Sequence, residues 1–281
     1  MAIALFQPRS LEEAVAVLQA QGEEARPIAG GTALTIMLRQ GLVRPAALVS
    51  LGGIAGLNDI HRNDGELVLG ALVTHRQVEL SPVVRETLPV VADTFGKVAN
   101  VRVRHAATVG GVLAEADYAS DPPAVLLALD AQVDVQGPGG QRTIPIADFF
   151  TGFYETALQP GEIVTRVRVP TPKTGTKAVY EKYVTRSSED RPCLGVIAAI
   201  EPDQSLRVAV GAVAETPQRF PEVEALARGR SLDDQTIREI AEGYAERIEP
   251  LSDMRGSAWY RTEMIRVWVR RAIQHAKEAT P

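Results

Sequence analysis

The chain has 281 residues, 45% of them hydrophobic and 23% charged, with a net charge of -5. That composition sits on the globular average and excludes disordered, collagen-like and disulfide-dense architectures, while the length allows one large domain or two modest ones. The acidic balance argues against a nucleic-acid partner, and no apolar run approaches the roughly 18 residues of a membrane span.

The start, Met1 to Pro8, shows no basic segment followed by an apolar one, so no signal peptide is expected and the protein is placed in the cytoplasm. Ser10-Leu11-Glu12-Glu13 has the spacing of a capping box, and Leu11, Ala14, Val15 and Leu18 form the apolar stripe of a helix that Gly22 ends. Arg26 to Ala29 reads as a short buried strand running into Gly30-Gly31-Thr32. Ala33 to Gln40 is expected to be helical and Ala46 to Leu51 a strand. Leu67 to Ala71 is a further strand, and Ser81-Pro82 opens a helical region that Pro89 divides. Asp121-Pro122-Pro123 has the look of a helix start, with an acid at the N-cap and Pro in the first turn.

Ala131, Val133 and Val135 alternate with polar residues, Gly137 to Gly140 turns, and Arg142 to Ile144 returns as a hairpin. Ile163 to Val169 is one more strand. Pro170 to Thr176 is the best boundary in the chain. It divides a domain of residues 1–172, with subdomains of about 1–57 and 58–172, from a second domain of residues 177–281. Val179 to Val184, Leu194 to Ile200 and Leu206 to Val213 follow as strands, the last two paired antiparallel across Glu201 to Ser205. A helix from Ser231 carries Ile237, Ile240, Ala241, Tyr244 and Ile248, and a last helix carries Ile265, Trp268, Val269, Ala272 and Ala276.

The one cysteine, Cys193, rules out a disulfide, a cysteine-based zinc site and an iron–sulfur cluster held by this chain alone. His61, His75, His105 and His275 lack metal-ligand spacing, so no metal site is expected. There is no G-x-G-x-x-G after a strand, no phosphate loop of the G-x-x-x-x-G-K type and no G-x-S-x-G elbow. Two diglycine loops remain, Ala29-Gly30-Gly31-Thr32 and Thr108-Val109-Gly110-Gly111. Glycine lets backbone N–H groups converge on a phosphate, and a helix N-terminus adds a favourable dipole of about 0.3–1 kcal/mol. Taken singly, each pair could equally make a tight turn. Asp93, Glu115 and Asp117 read as solvated or structural, and Trp259 and Trp268 as core. Arg261, Arg266, Arg270, Arg271 and Lys277 read as the solvated face of the last helix, which could also dock an acidic partner.

The two loops occur in order with Ala119-Ser120-Asp121-Pro122-Pro123 and Leu126 to Ala131. Phe150 to Leu158, Pro160 to Val164, Tyr180 to Tyr183 and Gly211 to Pro217 follow. This series, spanning essentially the whole chain, resembles the FAD-binding medium subunit of molybdenum hydroxylases, similar to that of carbon monoxide dehydrogenase and to the xanthine dehydrogenase flavin domain. The resemblance implies an α+β fold of the vanillyl-alcohol-oxidase-like type, two subdomains around FAD, with a C-terminal domain of a three-stranded antiparallel sheet and helices. It assigns Ile28, Ala29, Gly30, Gly31, Thr32, Ala33, Leu34 and Thr35 to the first pyrophosphate loop. Thr108, Val109, Gly110 and Gly111 form the second. Asp121 is placed near the ribityl chain, Val164 as a backbone contact to the ring and Lys182 as a basic contact; beside these, Tyr183 is read as a candidate to pack on the isoalloxazine ring. The chain departs from the family pattern at Ala33, Val112, Tyr118 and Thr185.

The implied function is electron transfer in a heterotrimer. A molybdopterin-binding large subunit oxidises substrate, a [2Fe–2S] small subunit passes electrons to the FAD, and an external acceptor removes them. No catalytic acid or base is expected of this chain. The alternatives are a self-sufficient flavin oxidase of the same broad fold, and a scaffold that has lost FAD.

Overall fold

The computed structural model describes residues 3–280. Three short strands come first: β1 (Ala4–Phe6), β2 (Ala25–Ile28) and β3 (Ala47–Ser50), a parallel sheet in the order β1-β3-β2. The helix Leu11–Gln21 buries Ala14, Val15 and Leu18 against it and stops where Gly22 takes a φ of +59°. Ser10 caps that helix as expected, accepting from the Glu13 N–H at 3.1 Å, but the Glu13 carboxylate reaches one residue further back, to the Arg9 N–H at 2.7 Å.

The second sheet is antiparallel. It contains β4 (Ile60–Asn63), β5 (Glu66–Gly70), β6 (Gln132–Gly137) and β7 (Gly140–Pro145). After a small hairpin of β8 (Phe150–Gly152) and β9 (Glu155–Thr156), β10 (Ile163–Pro170) inserts between β5 and β6. Helices between β5 and β6 cover one face, among them Pro89–Gly96, Val109–Glu115 and Pro122–Ala128. Leu67, Leu69, Val133, Val135, Val167 and Val169 meet Phe95, Leu113 and Leu126 in the largest core.

The last sheet, β11 (Lys177–Tyr183), β12 (Leu194–Ile200) and β13 (Leu206–Gly211), is antiparallel with β12 in the centre. Every residue of β12 is buried, because each face meets a different partner. Leu194, Val196, Ala198 and Ile200 pack against the helices Asp234–Arg247 and Ala258–Glu278, whereas Ile197 joins the core of the second sheet. The helix Pro122–Ala128 lies between the two sheets and is buried at all its positions. The expected α+β architecture is what the chain forms.

Four local expectations are corrected. Asp121 precedes its helix but makes no side-chain cap, since its carboxylate turns to Tyr180 and Lys182. The helix expected from Ser231 begins at Asp234, with Asp233 accepting from the Thr236 N–H at 2.8 Å. Arg261, expected in solvent, has no exposed surface and donates to the carbonyls of Cys193 and Ala212 and to Asp253. Trp259, expected in the core, is 72% exposed, because it points away from the stripe formed by Ile265, Val269 and Ala272.

Candidate functional site

The first diglycine loop leaves the end of β2 and enters the helix Leu34–Gln40. Gly30 is there for close approach: a Cβ at this position would lie 1.7 Å from the Ala106 carbonyl oxygen. Gly31 has a φ of +68°, a conformation that favours glycine, and its carbonyl accepts from both the N–H and the hydroxyl of Thr35, at 3.0 and 2.7 Å. Ala33 at the N-cap supplies no side-chain cap. Among the described residues the backbone N–H groups of Gly30, Gly31, Thr32 and Ala33 donate no hydrogen bond, and neither does the Thr32 hydroxyl. Four successive unengaged donors in a half-buried loop are what an anion needs.

The second loop is built differently. Thr108 caps the helix Val109–Glu115 by accepting from Gly111 at 3.1 Å. Three more N–H groups are engaged, Val109 with Val73 O at 2.9 Å, Gly110 with Ala71 O at 2.8 Å, and Val112 with Thr108 O at 3.0 Å, while that of Thr108 donates to no acceptor among the described residues. Gly110 is needed because a Cβ would meet that of Ala71 at 2.7 Å. Of this loop's groups, the Thr108 N–H and hydroxyl hydrogen remain free to donate among the described residues. The contact between Gly30 and Ala106 brings the two loops side by side.

Asp121 and Lys182 meet. The Lys182 ammonium lies 3.0 Å from one Asp121 oxygen and donates to the Lys97 carbonyl at 2.7 Å, while the Tyr180 hydroxyl donates to the other Asp121 oxygen at 2.8 Å. Burial raises the Asp121 carboxyl above its ordinary range against the pull of Lys182, and burial likewise pushes the Tyr180 phenol well up. Lys97 in turn donates to the Tyr180 carbonyl. Val164 sits opposite Val135 on β10, next to a bulge, with its side chain in the large core.

Tyr183 does not join them. Its ring stacks on Trp268 at 5.1 Å, and its hydroxyl bonds that of Tyr260, which with burial pushes the phenol up to about 12. Neighbouring strand residues face opposite ways, so Tyr180 and Lys182 look toward Asp121 while Tyr183 looks toward the last helix. The structure thus turns the Tyr183 ring toward Trp268 and Tyr260 and does not bring it together with Asp121 and Lys182.

A group not assigned to the site from the sequence gathers beyond the end of the helix Val109–Glu115. Asp117 is buried and takes Arg191 at 2.6 Å, the Ala119 N–H at 3.0 Å and the Tyr154 hydroxyl at 3.4 Å. Glu115 stands beside it, half-buried, with its carboxyl raised to about 7 by burial and by the charge of Asp117, against the pull of Arg191. The sequence signal was the closeness of Glu115 and Asp117 to the second loop; the Arg191 contact comes from more than 70 residues away.

The residues fit an extended, anionic cofactor. The departures at Ala33 and Val112 leave the loops intact, because Ala33 still presents its N–H and the Val112 side chain is buried in the core. An open diglycine loop beside a capped one, at the junction of a parallel and an antiparallel sheet, defines a flavin-binding α+β protein. Residues 1–172 match the family described as the FAD binding domain in molybdopterin dehydrogenase, and residues 182–276 the CO dehydrogenase flavoprotein C-terminal domain. The chain is 34% identical to the carbon monoxide dehydrogenase medium chain of Afipia carboxidovorans, over 96% of this chain and 95% of that one. It is 33% identical to the nicotine 6-hydroxylase medium subunit of Paenarthrobacter nicotinovorans, over 99% of both. A solved carbon monoxide dehydrogenase from Hydrogenophaga pseudoflava superposes with a TM-score of 0.96 at 31% identity, over 100% of this chain and 99% of that one. The chain belongs to the FAD-binding medium subunits of the molybdenum hydroxylase family. It is an oxidoreductase subunit, and FAD is its cofactor.

Proposed function

We propose that this chain is the electron-relay subunit of a heterotrimeric molybdenum-dependent hydroxylase. A partner that binds molybdopterin oxidises the substrate, a second partner carries [2Fe–2S] clusters, and an external acceptor takes the electrons from this chain. The observation that carries the reading is the open loop of Gly30 to Ala33 in a chain whose one cysteine is fully buried. The loop supplies a place for a pyrophosphate, and Cys193 alone cannot hold a cluster. The names of the relatives, medium chain and medium subunit, support an assembly with further subunits.

The residues divide the work. The N–H groups of Gly30, Gly31, Thr32 and Ala33 would bind the pyrophosphate, with the hydroxyls of Thr32 and Thr108 adding donors. Ile28, Ala29, Leu34 and Thr35 shape that loop, and Val109, Gly110 and Gly111 hold the second loop against β5. Asp121 and Lys182 act as a pair, which leaves one ammonium hydrogen of Lys182 for the cofactor; Val164 backs the same region from β10. FAD, when bound, can exchange electrons singly or in pairs, which lets one-electron donors feed a two-electron acceptor.

Three cores support the domain division at residues 1–172 and 177–281, with subdomains meeting near residue 57, and they interlock: Leu72 and Ile163 pack into the first, and Tyr180, Ile197 and Ala209 into that of the second sheet. Among the described residues no helix is long and apolar enough to cross a membrane. The buried free thiol of Cys193 agrees with a reducing cytoplasm. Purification of the chain from its native source, with mass spectrometry of what accompanies it and a visible spectrum, tests this function. Two partners and a flavin spectrum are expected; a lone flavoprotein that oxidises its own substrate would favour the oxidase alternative.

A further inference from the structure

We propose that the outer face of the first sheet docks a partner subunit, through a surface of that partner that is apolar at its centre and acidic at its rim. The inference rests on the multisubunit reading above. All-parallel sheets occur almost only with both faces covered. Here the helix Leu11–Gln21 covers one face, on which Ala25, Ala47 and Val49 are buried. On the other face Leu5 lies opposite Leu48, and Leu48 opposite Arg26. Leu5 is 59% exposed and Leu48 half-buried, and neither belongs to the core beneath.

The crossover from β1 to β2 runs one way across the sheet and that from β2 to β3 runs back, so right-handed connections set their helices on opposite faces. The helix Leu34–Gln40 therefore belongs to the open face. It does not close that face, for none of its residues is buried although Leu34, Ile36, Met37 and Leu38 are apolar. Ile36 is 54% exposed, and Leu42, just past the helix, 70%. A helix that buries nothing against its own chain keeps its apolar side chains for another surface.

The charge pattern selects the occupant. Residues 25–58 hold three arginines, Arg26, Arg39 and Arg44, and no Asp or Glu, in a chain with 35 acidic residues. Arg26 donates to the carbonyls of Glu23 and Ala25. None of the three is in an ion pair among the described residues, whereas exposed arginines elsewhere, such as Arg85, Arg186 and Arg230, have carboxylates. Carboxylates on a partner supply what this segment lacks, and opposite charge also steers the encounter. A second copy is the wrong occupant, because a two-fold contact sets the patch on itself and would gather arginine on arginine. An anionic membrane surface takes clusters of about four to eight cations, and the helix carries Arg39 alone.

Hydrogen exchange of the isolated FAD-loaded chain and of the native complex tests the face. The amides of Ala4–Phe6 and Leu34–Gln40 should exchange more slowly in the complex; equal rates would overturn the proposal. Arg44→Lys offers an amine, so carbodiimide treatment of the complex should couple position 44 to an Asp or Glu of a partner subunit. Coupling to a second copy of this chain, or none, counts against it. The double variant Arg39→Glu, Arg44→Glu should hold the partner subunits roughly tenfold more weakly, with FAD affinity and melting temperature unchanged. Leu5→Glu should do the same from the sheet; if it does not fold, the arginine variant, altered at two exposed side chains, still decides. Assembly of the arginine variant at wild-type strength overturns the proposal. Binding of the wild-type chain to phosphatidylserine vesicles, lost in that variant, would assign the face to a membrane instead. A wild-type chain that purifies without partners refutes the multisubunit reading itself, and the proposal with it.

Discussion

Lys182 and Asp121 form a buried ion pair, nitrogen to oxygen 3.0 Å, that fastens β11 to the helix Pro122–Ala128 across the junction of the second and third sheets. Removing one partner leaves a charge without its counterion in a dry place, which typically costs about 3–5 kcal/mol, whereas removing both can be nearly neutral. Lys182→Met should therefore unfold at clearly lower urea than wild type, and adding Asp121→Asn should restore much of the loss. Additive losses in the double variant would show that the pair is not coupled.

Gly30 and Gly139 make a matched test of the first loop. A Cβ on Gly30 would strike the Ala106 carbonyl, and one on Gly139 would meet nothing within 4 Å. Gly30→Ala should weaken FAD binding by roughly 100-fold, equivalent to about 3 kcal/mol, with Gly139→Ala unchanged. Equilibrium binding by flavin fluorescence gives both numbers; equal affinities would remove Gly30 from the site.

The pair Lys182 and Tyr183 shows how far the sequence could be read. The motif placed both beside the cofactor, yet adjacent strand residues point apart, and Tyr183 went to Trp268 and Tyr260. Period-two alternation was visible in Val179 to Val184 and could have separated them. The diglycine loops were legible by composition, but which one keeps free N–H groups depends on Val73 and Ala71, brought up by β5 and visible only in three dimensions. Arg261 was misplaced because helix periodicity records hydrophobicity, and a guanidinium that serves four oxygens in the interior looks like any surface arginine. The strand Ala4–Phe6 escaped notice since three residues are too few to show alternation.

Thr108 combines a cap with a donor. Thr108→Val removes the hydroxyl that accepts from Gly111, at a cost of about 1 kcal/mol to the helix, and it removes the donor offered to the cofactor. Thr108→Ser should retain both. Thermal melts with and without FAD should show Thr108→Val lowered in both and gaining less from FAD; an undiminished FAD gain would confine Thr108 to capping.

His75 predicts an acid transition. It is 1% exposed against the Phe95 ring, and burial pushes it down to about 4 from an ordinary value near 6.5. The unfolded chain thus binds the proton first. The stability His75 contributes is complete above pH 6.5 and falls by about 3 kcal/mol as the pH drops through 4. Urea midpoints between pH 7 and 4.5 should decline in wild type and flatten in His75→Phe. Parallel declines would assign the acid sensitivity to other groups.

The relay function is decided most directly by the location of the redox groups in the native complex. The chain should purify with two partners, FAD should stay with this chain after the subunits are separated, and iron and molybdenum should stay with the other two. Anaerobic substrate should bleach the flavin in the complex and leave the isolated, FAD-loaded chain oxidised. Bleaching of the isolated chain by the same substrate would contradict the account.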